Sequence, residues 1–194
     1  MDEQPEFAGL PVLTFENQRQ WREWLSQYHA QSHGVWIKIA KKASGIISVT
    51  HAEALDEALC FGWIDGQRNS HDGDYFLQKF TPRRPKSIWS KVNVEKIAAL
   101  TAAGRMTPAG MAAVGAAKQD GRWARAYDSP RNITVPSDFQ AALDHNPKAK
   151  AFYATLTKTN SYAILSSIQT AKRPETRQAR IEKFVAMLAS GQSG

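Results

Sequence analysis

The sequence predicts an α+β fold, with a small N-terminal sheet and two helices followed by an all-helical C-terminal half. Runs rich in β-branched and aromatic residues, such as Val35–Ala40, occur before residue 81. After Pro82, the apolar spacing and the start signals are those of helices. Thr81–Pro85 should be extended, because proline fixes its own φ and disfavours helix in the preceding residue. We therefore expect an α/β region over 1–86 and a helical region over 87–194, which could together form one compact unit.

The N-terminal half contains signals for both strands and helices. A first helix is expected from about Asn17 to His29, because its apolar residues fall at i, i+3, i+4 and i+7. A second helix should begin after Thr50, since Thr50 and Glu53 have the spacing of a capping box, and end near Gly62. The runs typical of strands are Val12–Phe15, Val35–Ala40, Ile46–Val49, Trp63–Gln67 and Tyr75–Phe80.

The C-terminal half carries a series of helix start signals. Thr107 is a good cap residue and Pro108 suits the first helical position, so a helix should begin there and end near Gly121. The other helices are predicted to start at Ser90 or Asn93, at Ser137, at Asn146–Pro147, at Asn160 and near Pro174.

The composition is that of a globular protein with a basic charge balance. Of the 194 residues, 42% are hydrophobic, and the formal net charge is +7. No segment has the roughly 18 uninterrupted apolar residues of a membrane span, and the N-terminus lacks the basic start and apolar run of a secretory signal. Cys60 is the only cysteine, which excludes an intramolecular disulfide and agrees with a reducing compartment. We therefore expect a cytoplasmic protein without a transmembrane segment.

Basic residues concentrate in two runs, and both favour anionic partners. The run Lys79–Lys96 holds six lysines and arginines, opposed only by Glu95. The second run, Lys172–Lys183, also contains Glu175 and Glu182, so it is interpreted as a solvated helix face with acid–base pairs. Solvation explains the first run less well, because that run has fewer acids to pair with.

Motifs of well-known catalytic, metal and cofactor sites are missing from the sequence. Cys60 follows His51 by nine positions, which at about 100° per residue places them on opposite sides of one helix. Cys60 is therefore interpreted as a small buried apolar residue. The loop His71–Asp74 lacks the ligands of a calcium loop, and zinc motifs are missing too. Without a glycine-rich nucleotide motif or a nucleophile elbow, neither a metal nor a cofactor is predicted.

A candidate ligand site lies in the basic, tryptophan-bearing segment between Trp63 and Asn93. The guanidinium groups of Arg83 and Arg84 can bind phosphate or carboxylate through paired hydrogen bonds, and Trp89 can stack on a ring or a cation. Polar side chains in nearby turns and at strand ends would complete the site. The predicted ligand-binding residues are Lys42, Trp63, Asp65, Gln67, Arg83, Arg84, Ser87, Trp89 and Asn93. The alternative is a stiff proline linker with solvated arginines and core tryptophans.

Several strings in the sequence carry a family resemblance. They are Ala58–Gln67, Phe80–Arg83, Ser87–Asn93, Gly104–Gly110 and Ala171–Arg177. These strings resemble the bacterial YdeI/OmpD-associated family, and the C-terminal third is similar to its OmdA module. The resemblance extends over most of the chain, from about Trp21 to Gly191. It implies an association with bacteriocin protection and with tolerance of cationic antimicrobial peptides, but it implies no reaction.

The sequence is compatible with three functions. The preferred one is a protein that binds a small anionic ligand at the junction of its two halves, in connection with stress or peptide tolerance. The second is nucleic-acid binding through both basic runs, which predicts an affinity that falls steeply with salt. The third is an enzyme that uses Asp65 as a general base beside the arginines. The sequence indicates no oligomeric state, and its charge disfavours direct binding of a cationic peptide.

Overall fold

A computed structural model describes residues 5–193 and places five strands, eight α-helices and one 3₁₀ helix among them. Residues 1–4, which begin the segment interpreted as lacking a secretory signal, and residue 194 lie outside this range. The strands are β1 (Glu6–Phe7), β2 (Leu10–Leu13), β3 (Val35–Ala40), β4 (Trp63–Ser70) and β5 (Tyr75–Pro82). The helices are α1 (Gln18–Tyr28), the 3₁₀ helix (Lys42–Ser44), α2 (His51–Cys60), α3 (Lys91–Ala102), α4 (Pro108–Gln119), α5 (Ser137–Asp144), α6 (Pro147–Tyr153), α7 (Lys158–Gln169) and α8 (Pro174–Ala189).

The five strands form one mixed sheet in the order β1-β2-β3-β5-β4. β2 and β3 are parallel, whereas the other neighbouring strands are antiparallel. β3 and β5 pair along their full length, from Val35 opposite Phe80 to Ala40 opposite Tyr75. Because this pairing is antiparallel, the basic residues that follow β5 lie beside the start of β3.

The predicted fold class is wrong for the N-terminal half. In place of a small sheet with two helices, this half contains a five-stranded mixed sheet and three helices: α1, the 3₁₀ helix and α2. One reason is that Glu6–Phe7 pairs with Leu10–Leu13 through a tight turn, and another is that Lys42–Ser44 winds into a short helix. The C-terminal half, helical from Lys91 onward, roughly fits the prediction.

The segment Ile46–Val49 does not form the predicted strand. β2 and β5 lie on either side of β3, so β3 offers no free edge for another strand. The segment is instead held by single hydrogen bonds. The Ala40 amide donates to Ser48 Oγ at 2.9 Å, and the Val49 amide donates to the Phe15 carbonyl at 2.9 Å. Tertiary competition for the sheet edge has therefore overridden the local β propensity.

The described residues divide into two compact units. The first comprises the residues up to Ser87 together with Asn93–Ala124. The second comprises Ile88–Val92 together with the residues from Arg125 onward. Each unit has its own cluster of buried apolar side chains.

Aromatic side chains from α1 and from the sheet form the core of the first unit. Trp21 of α1 is fully buried, and its indole N–H donates to the Ala54 carbonyl at 3.0 Å. The rings of Phe80 and Trp63 lie 5.7 and 6.3 Å from the Trp21 ring. A fully buried apolar side chain contributes about 1.5–3 kcal/mol, so these contacts hold α1 firmly on the sheet.

Short-range hydrogen bonds set several helix starts. The predicted capping box of α2 is confirmed, because Thr50 Oγ1 accepts from the Glu53 amide while Glu53 Oε2 accepts from the Thr50 amide. Thr107 caps α4 as predicted. α7 is capped by Thr157, whose side chain accepts from the Asn160 amide, so this helix starts slightly earlier than predicted.

The second unit is built from α5 to α8. Arg177 of α8 donates two hydrogen bonds to the Asp138 carboxylate of α5, and a third to the Ile168 carbonyl of α7. The core residues of this unit are Phe139, Leu143, Ala149, Ile164, Leu165, Ile168, Ile181 and Leu188.

Within residues 5–193, no helix combines the length and the apolar character needed to cross a bilayer.

Candidate anion-binding site

A basic pocket of about 480 Å³ lies in the first unit, where the β1–β2 turn and the end of β5 contribute to one concave surface. Its lining includes three side chains with a permanent positive charge and, among the described residues, no aspartate or glutamate. It therefore combines space for a small ligand with charge of a single sign. The lining residues are Ala8, Gly9, Leu10, His33, Lys79, Thr81, Pro82, Arg83 and Arg84.

The period of a β-strand brings Lys79, Thr81 and Arg83 to the same face. Successive side chains of a strand alternate between its two faces, so residues two positions apart share a face. The extended backbone continues one residue beyond β5, because the Arg83 amide donates to the Gly62 carbonyl at 3.0 Å. This hydrogen bond holds the Arg83 backbone against the turn between α2 and β4.

A glycine allows the end of β5 to lie close to the start of β3. Gly34 has a φ of 145°, which side-chain-bearing residues rarely adopt. A Cβ atom at this position would lie 2.8 Å from Thr81 Cγ2 and 3.0 Å from the Phe80 carbonyl oxygen. Because both distances are shorter than van der Waals contact, a larger residue here would force Thr81 to shift or the backbone to strain. The neighbouring His33 is thereby placed on the pocket lining.

The turn between β1 and β2 contributes a part of the lining with little side-chain bulk. Ala8 and Gly9 have φ values of 49° and 72°, as the two central residues of a tight hairpin turn require. The register of Phe7 opposite Leu10 leaves these two residues as the whole turn. Because neither side chain of the turn is larger than a methyl group, the turn leaves the pocket volume open to Lys79, Arg83 and Arg84.

A short turn fixes the backbone of Arg84. The Arg84 amide donates to Ser87 Oγ at 3.1 Å, and the Ser87 amide donates to the Arg84 carbonyl at 2.9 Å. Arg122 reinforces the turn from outside, because its Nη1 donates to the Ser87 carbonyl at 2.8 Å. Ser87 therefore acts in the turn that carries Arg84 and is not part of the pocket lining.

Two cations of the pocket lack the acidic partners that other cations have. Lys96, for example, lies 2.6 Å from the Asp56 carboxylate. Within residues 5–193, neither Lys79 nor Arg84 lies within ion-pair distance of a carboxylate. The Lys79 ammonium lies 5.7 Å from the centre of the Trp36 ring, a contact that leaves its charge uncompensated. The field of these two charges is therefore open to an anion.

Three of the predicted site residues lie in buried regions. Trp63 is 1% exposed, and its indole N–H donates to the His29 carbonyl at 3.2 Å. Trp89 is 2% exposed and belongs to the second unit. Asn93 is also buried and lies in the first turn of α3. None of the three lines the basic pocket.

Three other predicted residues lie on the surface of the first unit. The Asp65 carboxylate lies 3.1 Å from His51 Nε2, and both side chains are about one-third exposed. Such a carboxylate can orient the imidazole ring, and the general-base role of Asp65 stays a prediction. The Gln67 carbonyl accepts a hydrogen bond from the Gln78 side chain, and the Gln67 side chain is exposed. Lys42 is exposed at the start of the 3₁₀ helix.

The structure brings two of the nine predicted residues, Arg83 and Arg84, into one pocket and adds Lys79 and His33 to them. The other seven lie outside the lining, and a site made of all nine stays a prediction. The alternation of Lys79, Thr81 and Arg83 on one strand face is a sequence signal that places Lys79 beside Arg83. The predicted strand ends at Phe80, one residue before Thr81, so this signal was not used. No local signal points to His33, because only the pairing of β3 with β5 brings it to this pocket.

A second polar cluster of the first unit surrounds Glu57. The Glu57 side chain is only 3% exposed, and it lies 2.6 Å from Arg22 Nη1 and 2.5 Å from Arg105 Nη2. Gln18 Nε2 donates to the same carboxylate at 2.9 Å. The arginines stand 35 and 48 positions from Glu57 in the sequence, so local patterns do not reveal the cluster. It ties α1 and the α3–α4 loop to α2.

Cys60 lies fully buried at the end of α2, close to this cluster. Burial raises the pKa of the Cys60 thiol, and the negative charge of Glu57 raises it further. The complete burial of this free cysteine confirms its interpretation as a small buried residue. Among the described residues, no three histidine, cysteine, aspartate or glutamate side chains are grouped so that they could hold a metal ion.

Two family models match the sequence. Residues 13–113, more than half of the chain, match a domain of unknown function (DUF8412), and the chain belongs to this family. Residues 132–191 match the family described as bacteriocin-protection, YdeI or OmpD-associated (OmdA), which confirms the family resemblance for the C-terminal third of the chain. Comparison with curated proteins and with solved structures gives no significant match.

Proposed function

We propose that this family member binds a small molecule with a phosphate or carboxylate group in the basic pocket of its first unit. The observation that carries the proposal is the set of three permanent cations, Lys79, Arg83 and Arg84, around a pocket lined by no acid among the described residues. With a net charge of +7, the protein is poorly suited to contact a cationic peptide directly. Its single cysteine, Cys60, is free and buried, so the proposed location is the cytoplasm.

The chemistry of the pocket suits an anion with two or more oxygens. The Arg84 guanidinium presents a planar fork that can donate to two oxygens, and the Lys79 ammonium supplies a compact charge. The Thr81 hydroxyl and the His33 ring are further hydrogen-bonding groups on the lining. Because hydrogen bonds to charged groups contribute about 1.5–3 kcal/mol each, loss of one cation should be measurable.

Calorimetric titration with inorganic phosphate, pyrophosphate and citrate tests the proposal. We expect at least one of these anions to bind, with an affinity that falls as the salt concentration rises. Lys79→Ala and Arg84→Ala should each weaken binding about tenfold, because each removes one charge-assisted contact. The matched control is Lys86→Ala, which removes the same charge from an exposed side chain outside the lining and should leave the affinity unchanged.

The double variant Lys79→Ala/Arg84→Ala provides the decisive comparison. Both side chains are at least partly exposed, so its urea unfolding midpoint should stay close to that of the wild type. If this folded variant binds the anion as tightly as the wild type does, the basic pocket is not the site. Binding of short single-stranded DNA with a steep salt dependence, without binding of any small anion, would instead favour the nucleic-acid hypothesis.

A further inference from the structure

A second pocket, of about 710 Å³, lies within the second unit. Much of its lining is apolar, because Ile133, Leu156, Leu165 and the ring of Tyr162 all contribute to it. Leu165 is 4% exposed and belongs to the core of this unit, so this part of the lining is rigidly held. The volume falls within the range of about 300–1,000 Å³ that is typical of pockets for small organic ligands.

Two cations share this lining with the apolar side chains. Arg131 and Lys158 are exposed, and the lining contains no acidic residue among the described part of the chain. Within residues 5–193 neither of them forms an ion pair, whereas Lys150 of the same unit lies 2.8 Å from Asp144. An anionic group at this pocket therefore meets two uncompensated positive charges, and a cationic group is repelled.

We propose that this pocket binds an amphipathic carboxylate, a small molecule with an apolar body and one terminal carboxylate group. The apolar body would pack against Ile133, Leu156 and Leu165, while the carboxylate lies near Arg131 and Lys158. The planar fork of an arginine matches the two oxygens of a carboxylate. The pocket shares no residue with the basic pocket of the first unit, so this proposal does not depend on the proposed function.

Titration of the full chain with alkyl ligands that differ only in head group or length tests the proposal. Each buried methylene group should raise the affinity about three- to fourfold, so decanoate should bind about tenfold more tightly than octanoate. Decanol and decyltrimethylammonium, the matched neutral and cationic ligands, should bind more weakly than decanoate. Naphthalene-2-carboxylate distinguishes an aromatic carboxylate from an aliphatic one as the preferred ligand.

Variants of the two cations show whether the carboxylate lies where we propose. Arg131→Gln/Lys158→Gln should weaken decanoate binding about tenfold. Lys148→Gln removes a charge from an exposed side chain of α6 outside the lining, and it should leave decanoate binding unchanged. Arg131→Glu/Lys158→Glu should prefer decyltrimethylammonium to decanoate, because the charge at the pocket is reversed.

Three results would overturn the proposal: no binding of any of the carboxylates, decanol binding as tight as that of decanoate, or equal decanoate affinity in the glutamine double variant. If that variant does not fold, Val135→Glu replaces it, because Val135 is 37% exposed and lines the same pocket. The added carboxylate should abolish decanoate binding, and unchanged binding would again overturn the proposal. Phosphate titration of the same variants should match the wild type, which separates this test from that of the basic pocket.

Discussion

Two regions of the first unit use arginine side chains in opposite ways. At Glu57, two guanidinium groups converge on one buried carboxylate at 2.6 and 2.5 Å. At the basic pocket, Arg84 and Lys79 line a concave surface, and neither has a carboxylate within ion-pair distance among residues 5–193. The role of an arginine in this unit therefore depends on its partner. A paired charge holds the fold together, whereas an uncompensated charge in a concave surface can attract a ligand.

Removing the carboxylate of the paired region should have the largest effect on stability. Glu57→Gln leaves two guanidinium groups beside a neutral side chain, and breaking a buried ion pair costs about 3–5 kcal/mol. Because Arg22 and Arg105 are about one-third exposed, we expect a smaller loss, about 2–3 kcal/mol, in the free energy of unfolding. Urea unfolding measures it. Glu23→Gln, in an exposed pair, is the control, and equal midpoints for the two variants would contradict the paired role of Glu57.

A substitution at Gly34 should affect both stability and the basic pocket. Gly34→Ala places a Cβ atom 2.8 Å from Thr81 Cγ2 at a φ of 145°, so β5 must shift or the backbone must strain. We expect a loss of about 1–3 kcal/mol in the free energy of unfolding, with weaker phosphate binding. Gly73→Ala is the matched control, because nothing lies within 4 Å of its added Cβ. A variant at Gly34 that is as stable as the wild type would show that the close approach to Thr81 is dispensable.

An exposed ion pair of the second unit should show a smaller, pH-dependent effect. Hydrogen bonds from the Arg177 guanidinium hold the pKa of the Asp138 carboxyl below its usual value of about 3.9. A lowered folded-state pKa contributes stability that is present above about pH 4 and is lost as the pH falls through the folded-state pKa. Arg177→Gln should therefore cost under about 1 kcal/mol at pH 7, and less at strongly acidic pH. Urea midpoints that differ by the same amount at both pH values would argue against this linkage.

The smallest effect is expected at a cation that lies outside both regions. Lys42 is among the residues predicted for the ligand site, yet it is exposed at the start of the 3₁₀ helix and does not line the basic pocket. We expect Lys42→Ala to change phosphate affinity by less than about twofold, because an exposed charge beyond contact distance is screened by salt. A tenfold loss in a calorimetric titration would instead support the site predicted from the sequence.

Much of the helical structure is predictable because helix starts depend on neighbours in the sequence. The capping box of Thr50 and Glu53 and the Thr107 cap each involve hydrogen bonds across three residues. Strands depend on distant partners instead. Ile46–Val49 has the composition of a strand, but β3 has no free edge for it, while Glu6–Phe7 pairs through a turn that its composition does not reveal. The predicted sheet of the N-terminal half is wrong for this reason, whereas the helix count is wrong because Lys42–Ser44 forms a short 3₁₀ helix.

At the candidate site, the amino-acid sequence alone specifies the basic segment and the hydrogen-bonding groups that Arg83 and Arg84 can present to an anion. Which charges lie together, and which already have a partner, depends on the tertiary fold. Strand pairing brings His33 to the end of β5, and folding brings Arg22 and Arg105 to Glu57 from 35 and 48 positions away. Electrostatic interaction depends on the distance between two charges in space, and the number of residues between them does not determine that distance.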